Sequence, residues 1–295
     1  MRVLACTIVA LLAACGGGGR SLPAVEDGPA KPVQVLFAQG DRAPVVVNDP
    51  TDTSRYPVDA GFVATFALGR QAITWDQRGL GIVNDSWRAP AGTSAIKTVN
   101  YAWMAGTTIR PWADGGNAQV CTSFTASVPQ SSIKQGALGN YTGADLWFFD
   151  ASTGKPTSGK GLIVSGFYFV DQSGDGPLQN YGPADYLAPL RSVQWGSPLG
   201  NSHWLTTTSG AMSRSTWAEP RRFGYCVNRD QVLFLLAASV DMLGGMADIH
   251  DMVLHQALLS SETALGVPSS QDPAAVGASL TSYFSDWTVF IQGAQ

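Results

Sequence analysis

The sequence is poor in charge and lacks a basic excess. Charged residues make up 14% of the 295 residues, against about 25% in a typical soluble domain. The 18 Lys and Arg are outnumbered by 22 Asp and Glu. This balance excludes a nucleic-acid-binding protein that works through a basic face. No apolar run reaches the roughly 18 residues expected of a membrane-spanning helix.

Several catalytic signatures are also missing. The sequence contains no Gly-x-Ser-x-Gly, His-Glu-x-x-His or Cys-x-x-Cys pattern, no phosphate loop and no dinucleotide-binding fingerprint. Glu occurs only at positions 26, 219 and 262. No close pair of carboxylates, as glycosidases use, falls on a predicted strand. The sequence therefore favours binding over catalysis.

The first 14 residues have the features of a secretory signal peptide. Arg2 supplies the positive charge, and Val3 to Leu12 form the apolar core. The segment ends in Leu12-Ala13-Ala14-Cys15-Gly16, which resembles the lipobox of bacterial lipoproteins. The resemblance implies cleavage before Cys15, a lipid on Cys15 and a membrane-anchored protein of the cell envelope. In that family an Asp after the cysteine retains some members in the inner membrane, so Gly16 favours the outer membrane.

The rest of the chain is predicted to be a tether followed by one domain. Residues 15–32 are rich in Gly and Pro and have no periodicity, which is typical of a flexible linker. Residues 33–295 then form a single domain. Cys6 leaves with the signal peptide, so Cys121 and Cys226 remain in an oxidising compartment, where we expect a disulfide. Closing a loop of roughly 100 residues stabilises by about 4–5 kcal/mol in the chain-entropy model.

The pattern from residue 33 onward predicts an antiparallel β-sandwich or jelly roll. Short alternating or apolar runs rich in β-branched and aromatic residues recur between turn residues. The predicted strands cover 34–38, 44–47, 62–68, 72–75, 79–83, 98–103, 119–126, 144–150 and 161–170. The layout resembles concanavalin-like jelly rolls in strand rhythm and aromatic content. The resemblance rests on no motif, so no site residue is carried over from it.

The C-terminal quarter predicts two or three accessory helices. One spans 231–243, with Asp230 as its N-cap and Gly244 as its stop. Asp272-Pro273 opens a second helix over 273–284, and a last strand follows over 287–291. Residues 248–260 fit either a helix or a strand.

The aromatic segment from Tyr181 to Tyr225 is the strongest functional signal. Its rings stand among Gly, Ser, Thr, Asn and Pro, a composition typical of ligand-binding loops. Indole rings can stack on sugar faces, and an Arg can bind an anionic group. The predicted ligand-binding residues are Trp195, His203, Trp204, Trp217 and Arg221. The alternative for each aromatic is a place in the core.

A second candidate site follows the predicted strand 161–170. Asp171, Ser173 and Asp175 are spaced like the first ligands of a calcium loop, with Gly176 at the sixth position. Gly182 stands where an EF-hand has its closing Glu. A looser Ca²⁺ site and an ordinary turn are both compatible with this stretch. No other cofactor is expected.

Three functions remain open. The first is non-catalytic binding of a glycan or cell-wall polymer through the aromatic loops. The second is a polysaccharide lyase or glycoside hydrolase with His203, Glu219 or Arg221 near the reaction centre. The third is a structural or assembly role in the outer membrane.

Overall fold

The computed structural model describes residues 33–39, 44–48, 55–57, 63–66, 71–76, 79–85, 96–133, 139–155, 159–172, 181–186, 192–264 and 278–293. The predicted signal peptide, Cys15 and the tether lie outside these residues. The described residues all belong to one compact unit, Lys31–Gln295.

Strands dominate the described part of the chain, as the sequence predicts. Two helices, α1 (Arg229–Ala238) and α2 (Val240–Leu243), follow one another late in the chain. The strands are β1 Val33–Ala38, β2 Pro44–Asn48, β3 Arg55–Pro57, β4 Val63–Phe66, β5 Gln71–Asp76, β6 Gly79–Asp85, β7 Ile96–Met104, β8 Gln119–Ile133, β9 Gly139–Asp150, β10 Gly161–Gln172, β11 Tyr181–Tyr186, β12 Ser192–Pro198, β13 Thr206–Ser209, β14 Trp217–Asn228, β15 Met252–Ala264 and β16 Ala278–Gln292.

The strands form two eight-stranded sheets, which confirms the predicted β-sandwich. Sheet I has the order β13-β14-β8-β16-β6-β5-β4, with β1 also paired to β16. Sheet II has the order β11-β12-β10-β9-β15-β7-β2-β3. Every described strand pair is antiparallel except β10 with β12, which is parallel. The long central strands β8, β16, β9 and β15 therefore set the geometry of both sheets.

The core lies between the inner faces of the two sheets. On β9 the alternate residues Ala144, Leu146 and Phe148 join this core, because successive side chains of a strand point to opposite faces. Polar side chains also join the sheets at the interior. The Asn84 amide donates to the Ser261 carbonyl, with 3.0 Å between nitrogen and oxygen.

The predicted disulfide is confirmed. Cys121 of β8 and Cys226 of β14 are direct neighbours in sheet I, and their sulfur atoms are bonded at 2.01 Å. Both residues are buried. The bond ties together two central strands that are 105 residues apart in sequence.

The predicted helix over 231–243 is confirmed in position, but it starts earlier and is interrupted. Asn228, not the predicted Asp230, is the N-cap: its side chain accepts from the Gln231 amide, and the Gln231 side chain accepts from the Asn228 amide. This reciprocal arrangement is a capping box. The chain turns at Ser239 between α1 and α2, and Gly244 ends α2 with a left-handed φ of 66°.

The predicted helix over 273–284 is wrong. Residues 278–284 belong to β16, and 273–277 lie outside the described residues. Leu280 and Phe284 are four residues apart, a spacing that places them on one face of a helix and equally on one face of a strand. The ambiguous stretch 248–260 is a 3₁₀ turn over Ile249–Asp251 followed by β15. Neither helix in the described residues has the length and hydropathy to cross a membrane.

The capping box gives the first testable prediction. Replacing Asn228→Ala removes the side chain that satisfies the Gln231 amide, so we expect a loss of about 1 kcal/mol in the free energy of unfolding. Asp230 is exposed and makes no capping bond, so Asp230→Ala serves as the control and costs less than about 0.5 kcal/mol. Urea denaturation measures both. Equal losses in the two variants contradict the assigned cap.

Candidate functional site

The outer face of sheet II carries an unusual row of polar and aromatic side chains. On β9 the residues that alternate with the core positions are Tyr141, Gly143, Asp145 and Trp147. On the neighbouring strand β10, Ser165 stands directly opposite Asp145. We call this row the outer strip. It consists of Tyr141, Asp145 and Trp147 of β9, Ser165 and Phe167 of β10, Gln194 of β12 and Glu262 of β15.

Asp145 occupies the centre of the outer strip. It is 9% exposed, and this burial raises its pKa to about 6 because removing a carboxylate from water disfavours its charged form. A hydrogen bond with the Ser165 side chain acts in the opposite direction and lowers the pKa. The Gln194 amide of β12 donates to the Ser165 oxygen at 2.8 Å. Three side chains on three adjacent strands therefore form one hydrogen-bonded group.

Tyr225 supports Asp145 from the core side. Its hydroxyl oxygen lies 2.9 and 2.8 Å from the carbonyl oxygens of Ala144 and Val164, so its one proton is shared between them and bridges β9 and β10. Burial raises the pKa of Tyr225 well above its usual value, and the charge of Asp145 raises it further. The phenol therefore stays protonated and keeps both bonds at neutral pH.

Aromatic rings flank Asp145 on one side. Tyr141 meets Phe167 edge to face, with 6.4 Å between ring centroids. Glu262 of β15 is directly opposite Tyr141. Burial, and secondarily the charge of Glu262, raises the pKa of Tyr141. Between Tyr141 and Asp145, a side chain on Gly143 would come within 3.3 Å of the Phe167 ring. The Phe167 ring, the Gly166 carbonyl and the Ser260 hydroxyl therefore pack closely over Gly143.

A second aromatic group flanks Asp145 on the other side. Trp147 is half-buried, and the His255 ring meets it edge to face at 6.2 Å. His255 also contacts Phe149 at 5.7 Å, and its Nδ1 lies 3.2 Å from the Gly106 carbonyl oxygen. The β15 register shifts at His255, between Leu254 and Gln256. This bulge places an extra residue beside Trp147.

The outer strip offers one proton-exchanging group between two aromatic groups. A carboxyl with a pKa near 6 can both donate and accept a proton close to neutral pH. The outer strip holds a second carboxylate, that of Glu262. The backbone of Glu262 is the register partner of Tyr141, and Tyr141 lies four residues from Asp145 along β9. Their backbone positions are therefore about 13 Å apart along the strands. The two catalytic carboxyl groups of glycosidases lie about 5–9.5 Å apart. The backbone positions of Asp145 and Glu262 are farther apart than this.

The sequence-predicted tryptophans are placed elsewhere and do not form a common groove. Trp195 and Trp217 are each 6% exposed, and their indole nitrogens donate to Ser239 Oγ at 2.9 Å and to the Ala126 carbonyl at 3.1 Å. Neither ring is available for stacking. Trp204 is half-buried and meets Trp195 edge to face at 4.6 Å. The predicted stacking role of Trp195 and Trp217 is wrong because both complete the core.

The predicted polar residues also stand apart from the outer strip. His203 is exposed, and Arg221 is exposed with its guanidinium 5.0 Å from the centroid of the Trp217 ring. The segment holding Trp217 and Arg221 borders a cavity of about 380 Å³ on sheet I, lined by Ala218, Pro220 and Tyr283 among others. The aromatic segment predicted as loops is largely the strands β11 to β14.

The calcium prediction is only partly covered by the described residues. The Asp171 carboxylate accepts a hydrogen bond from the Ser131 hydroxyl, while Ser173 and Asp175 lie outside the described residues. Within the part of the chain that the structure describes, no group of three or more His, Cys, Asp or Glu side chains is placed to hold a metal. The Ca²⁺ site stays a prediction.

Comparison with known proteins adds a likeness of fold. No family model matches the sequence, and no curated protein matches it. Among solved structures, a family 12 xyloglucanase from Bacillus licheniformis aligns with a TM-score of 0.32 at 11% identity, over 78% of this chain and 97% of its own. A family 11 xylanase from Neocallimastix patriciarum aligns with a TM-score of 0.31 at 9% identity, over 83% and 97%. An endoglucanase from Rhodothermus marinus aligns with a TM-score of 0.28 at 13% identity, over 79% and 96%. Alignments at this level establish neither a shared activity nor shared site residues.

The raised pKa of Asp145 predicts an unusual pH dependence of stability. Its pKa is about 6 in the folded chain and 3.8 in its unperturbed state, so ionisation disfavours folding. The stabilising effect of the neutral carboxyl is complete below about pH 4 and is lost as the pH rises through about 6. We therefore expect Asp145→Asn to be more stable than the natural chain at pH 7, by up to about 3 kcal/mol, and to lose this advantage at pH 4.

Urea denaturation at pH 4 and pH 7 tests this expectation. Asp286→Asn is the matched control, because Asp286 is an exposed turn residue with a φ of 52° that Asn also adopts. The control should change little between the two pH values. A loss of stability in Asp145→Asn at pH 7 would show that the folded chain needs the ionised carboxylate.

Proposed function

We propose that the chain is an exported, lipid-anchored protein of the bacterial cell envelope that binds a glycan on the outer strip without cleaving it. The single observation that carries the glycan-binding proposal is the row of half-buried rings and hydrogen-bonding groups around Asp145 on one face of sheet II. Flat aromatic groups beside a few placed polar groups are typical of ligand sites.

The chemistry of the outer strip suits a sugar polymer. Tyr141 and Trp147 flank the central group at separate points along β9, so they can contact different sugar units of one chain. Gln194 is half-buried and can exchange hydrogen bonds with a sugar hydroxyl, while the buried Ser165 holds Gln194 and Asp145 in place from below.

Binding to a glycan array tests this proposal. We expect Trp147→Ala to weaken binding at least about fivefold, since the loss of one stacking contact costs about 1–3 kcal/mol for nucleobases on aromatic side chains. Trp204→Ala removes a half-buried indole outside the outer strip and serves as the matched control, with binding retained. The array should include β-glucans, xylans and peptidoglycan fragments. Unchanged binding in Trp147→Ala removes the outer strip as the site.

Hydrolysis is the second candidate function, and the pKa of Asp145 is the observation that favours it. A carboxyl with a pKa of about 6 is about half protonated at pH 6, and its protonated form can act as a general acid toward a leaving oxygen. Incubating the same polysaccharides and measuring new reducing ends separates the two functions. Product that disappears in Asp145→Asn establishes an enzyme, whereas binding without product supports the non-catalytic proposal.

The anchor has its own test. Expression in a bacterium supplied with labelled palmitate should yield labelled protein that is recovered with the membranes. Cys15→Ser removes the atom that carries the acyl chain, so we expect the label to be lost. Cys6→Ser changes the other cysteine of the leader and should leave the label in place. Label retained in Cys15→Ser contradicts the lipobox assignment.

A further inference from the structure

The exposed large hydrophobic side chains of the described residues gather in two short segments. Val33 and Val35 lie at the start of β1, and Phe234, Val240 and Met246 lie in or just after the helices. Phe234 is 58% exposed and Met246 is 47% exposed. Isolated apolar residues on a surface are ordinary, but several in one region indicate a contact surface.

Strand register places both segments at the same end of the sandwich. Val33 pairs with Gln292, Gln292 with Gln119, and Gln119 with Asn228. Asn228 is the N-cap of α1. Three strand spacings of about 4.8 Å place Val33 about 14 Å from the start of the helix. We call this end, which carries α1, α2 and the start of β1, the helical end.

Helix α1 is apolar on more than its core-facing side. Val232, Leu235 and Leu236 are buried against the sandwich. Phe234 and the small residues Ala237 and Ala238 are exposed. A helix that is apolar beyond its buried stripe indicates a second apolar environment.

The charges around these residues carry no single sign. Asp230 and Asp241 are exposed on the helices, and the Lys160 ammonium donates to the Met246 carbonyl at 3.0 Å. A surface of mixed charge does not select an anionic partner by electrostatics. Contact at the helical end would therefore depend on burial of apolar area and should vary little with salt.

The point at which the chain enters the sandwich indicates that the partner of the helical end is the membrane. The chain enters the sandwich at Val33, at the helical end, 18 positions after Cys15. A chain of 18 residues that behaves as a random coil has a root-mean-square span of about 23 Å. A lipid on Cys15 would thus hold the helical end close to the bilayer that receives it.

We propose that the exposed face of α1 and α2, with Phe234, Val240 and Met246 at its centre, rests on the lipid surface of the membrane. The proposal depends on the lipid anchor proposed above. Apolar side chains that enter the interface add to the affinity of an acyl anchor and fix the orientation of the body.

Spin labelling of the lipidated protein tests the orientation. Cys121 and Cys226 are bonded to each other, so Ala237→Cys introduces a single free thiol once Cys15 is acylated. The labelled protein is reconstituted in vesicles of phosphatidylethanolamine and phosphatidylglycerol. We expect the label at 237 to collide more often with oxygen than with a water-soluble nickel complex, and added salt should not change this preference.

Gln130→Cys provides the matched control. Gln130 is exposed near the far end of β8, so its label should prefer the nickel complex. Combining Phe234→Ser and Met246→Ser with the label at 237 should abolish the oxygen preference while the protein stays on the vesicles. Retention of the vesicle-bound protein distinguishes loss of the contact from loss of the anchor.

Three results would overturn the proposal. The first is equal nickel access at 237 and 130 in acylated protein, which leaves the anchor intact but rejects the contact. The second is spin–spin broadening at 237 that increases with protein concentration, which assigns the face to a second copy of the chain. The third is a Cys15 that mass spectrometry finds unacylated, which rejects the anchor and the orientation together.

Discussion

The two-residue period of β9 decides which chemistry faces the core and which faces outward. Ala144, Leu146 and Phe148 must all point inward to fill the space between the sheets. Asp145 and Trp147 must then point outward, because a shift of one residue would exchange the two sets. The disposition of the outer strip is thus a consequence of core packing, and the flanking strands β10 and β15 inherit the same register.

Bulges interrupt the two-residue period at a few points and so change which side chains face the core and which face outward. The shift at His255 adds a ring beside Trp147 without moving Leu254 or Ala257 out of the core. In β16 the register shifts between Ser285 and Thr288, around the left-handed residue Asp286. The buried positions are even-numbered before this point and odd-numbered after it. One strand can therefore follow the curvature of sheet I and still bury Leu280, Trp287 and Ile291.

The switch from even-numbered to odd-numbered buried positions in β16 explains why one helix predicted from the sequence is a strand. The strands 144–150 and 161–170 could be predicted because both are runs rich in apolar, β-branched and aromatic residues separated by a turn-rich segment. The helix over 273–284 was predicted wrongly because a bulged strand brings Phe284 and Trp287 to the core at a spacing that a helix also gives. The disulfide could be predicted because Cys121 and Cys226 are the two cysteines left once the predicted signal peptide and lipidated Cys15 are set aside, whatever the fold.

The candidate site could not be predicted from the same patterns. A tryptophan in a Gly- and Ser-rich segment fits both a ligand-binding loop and the core, and only its contacts decide between them. Trp195 and Trp217 contact Ser239 and Ala126, which are distant in sequence. Asp145 offered one usable signal, a single carboxylate inside an otherwise apolar run. Its neighbours Ser165, Gln194 and Glu262 are brought to it only by strand order, which alternation alone does not determine.

The cost of Asp145 argues that the outer strip is kept for a purpose other than folding. Burying a carboxyl destabilises its ionised form, and Gly143 adds a flexible residue to the middle of a long strand. An apolar residue opposite Ser165 would be the choice for a sheet selected for stability alone, whereas Gly143 is required by the close packing of Phe167 and Ser260. The helical end shows a comparable departure, since Phe234 and Met246 lie exposed where polar residues would cost nothing. Both departures fall on surfaces that a ligand or a lipid layer could cover, and they stand at different places on one rigid frame. The Lys160 ammonium donates to the Met246 carbonyl, and Trp147 packs beside Gly161 at the start of β10, so the helical end borders the Trp147 end of the outer strip.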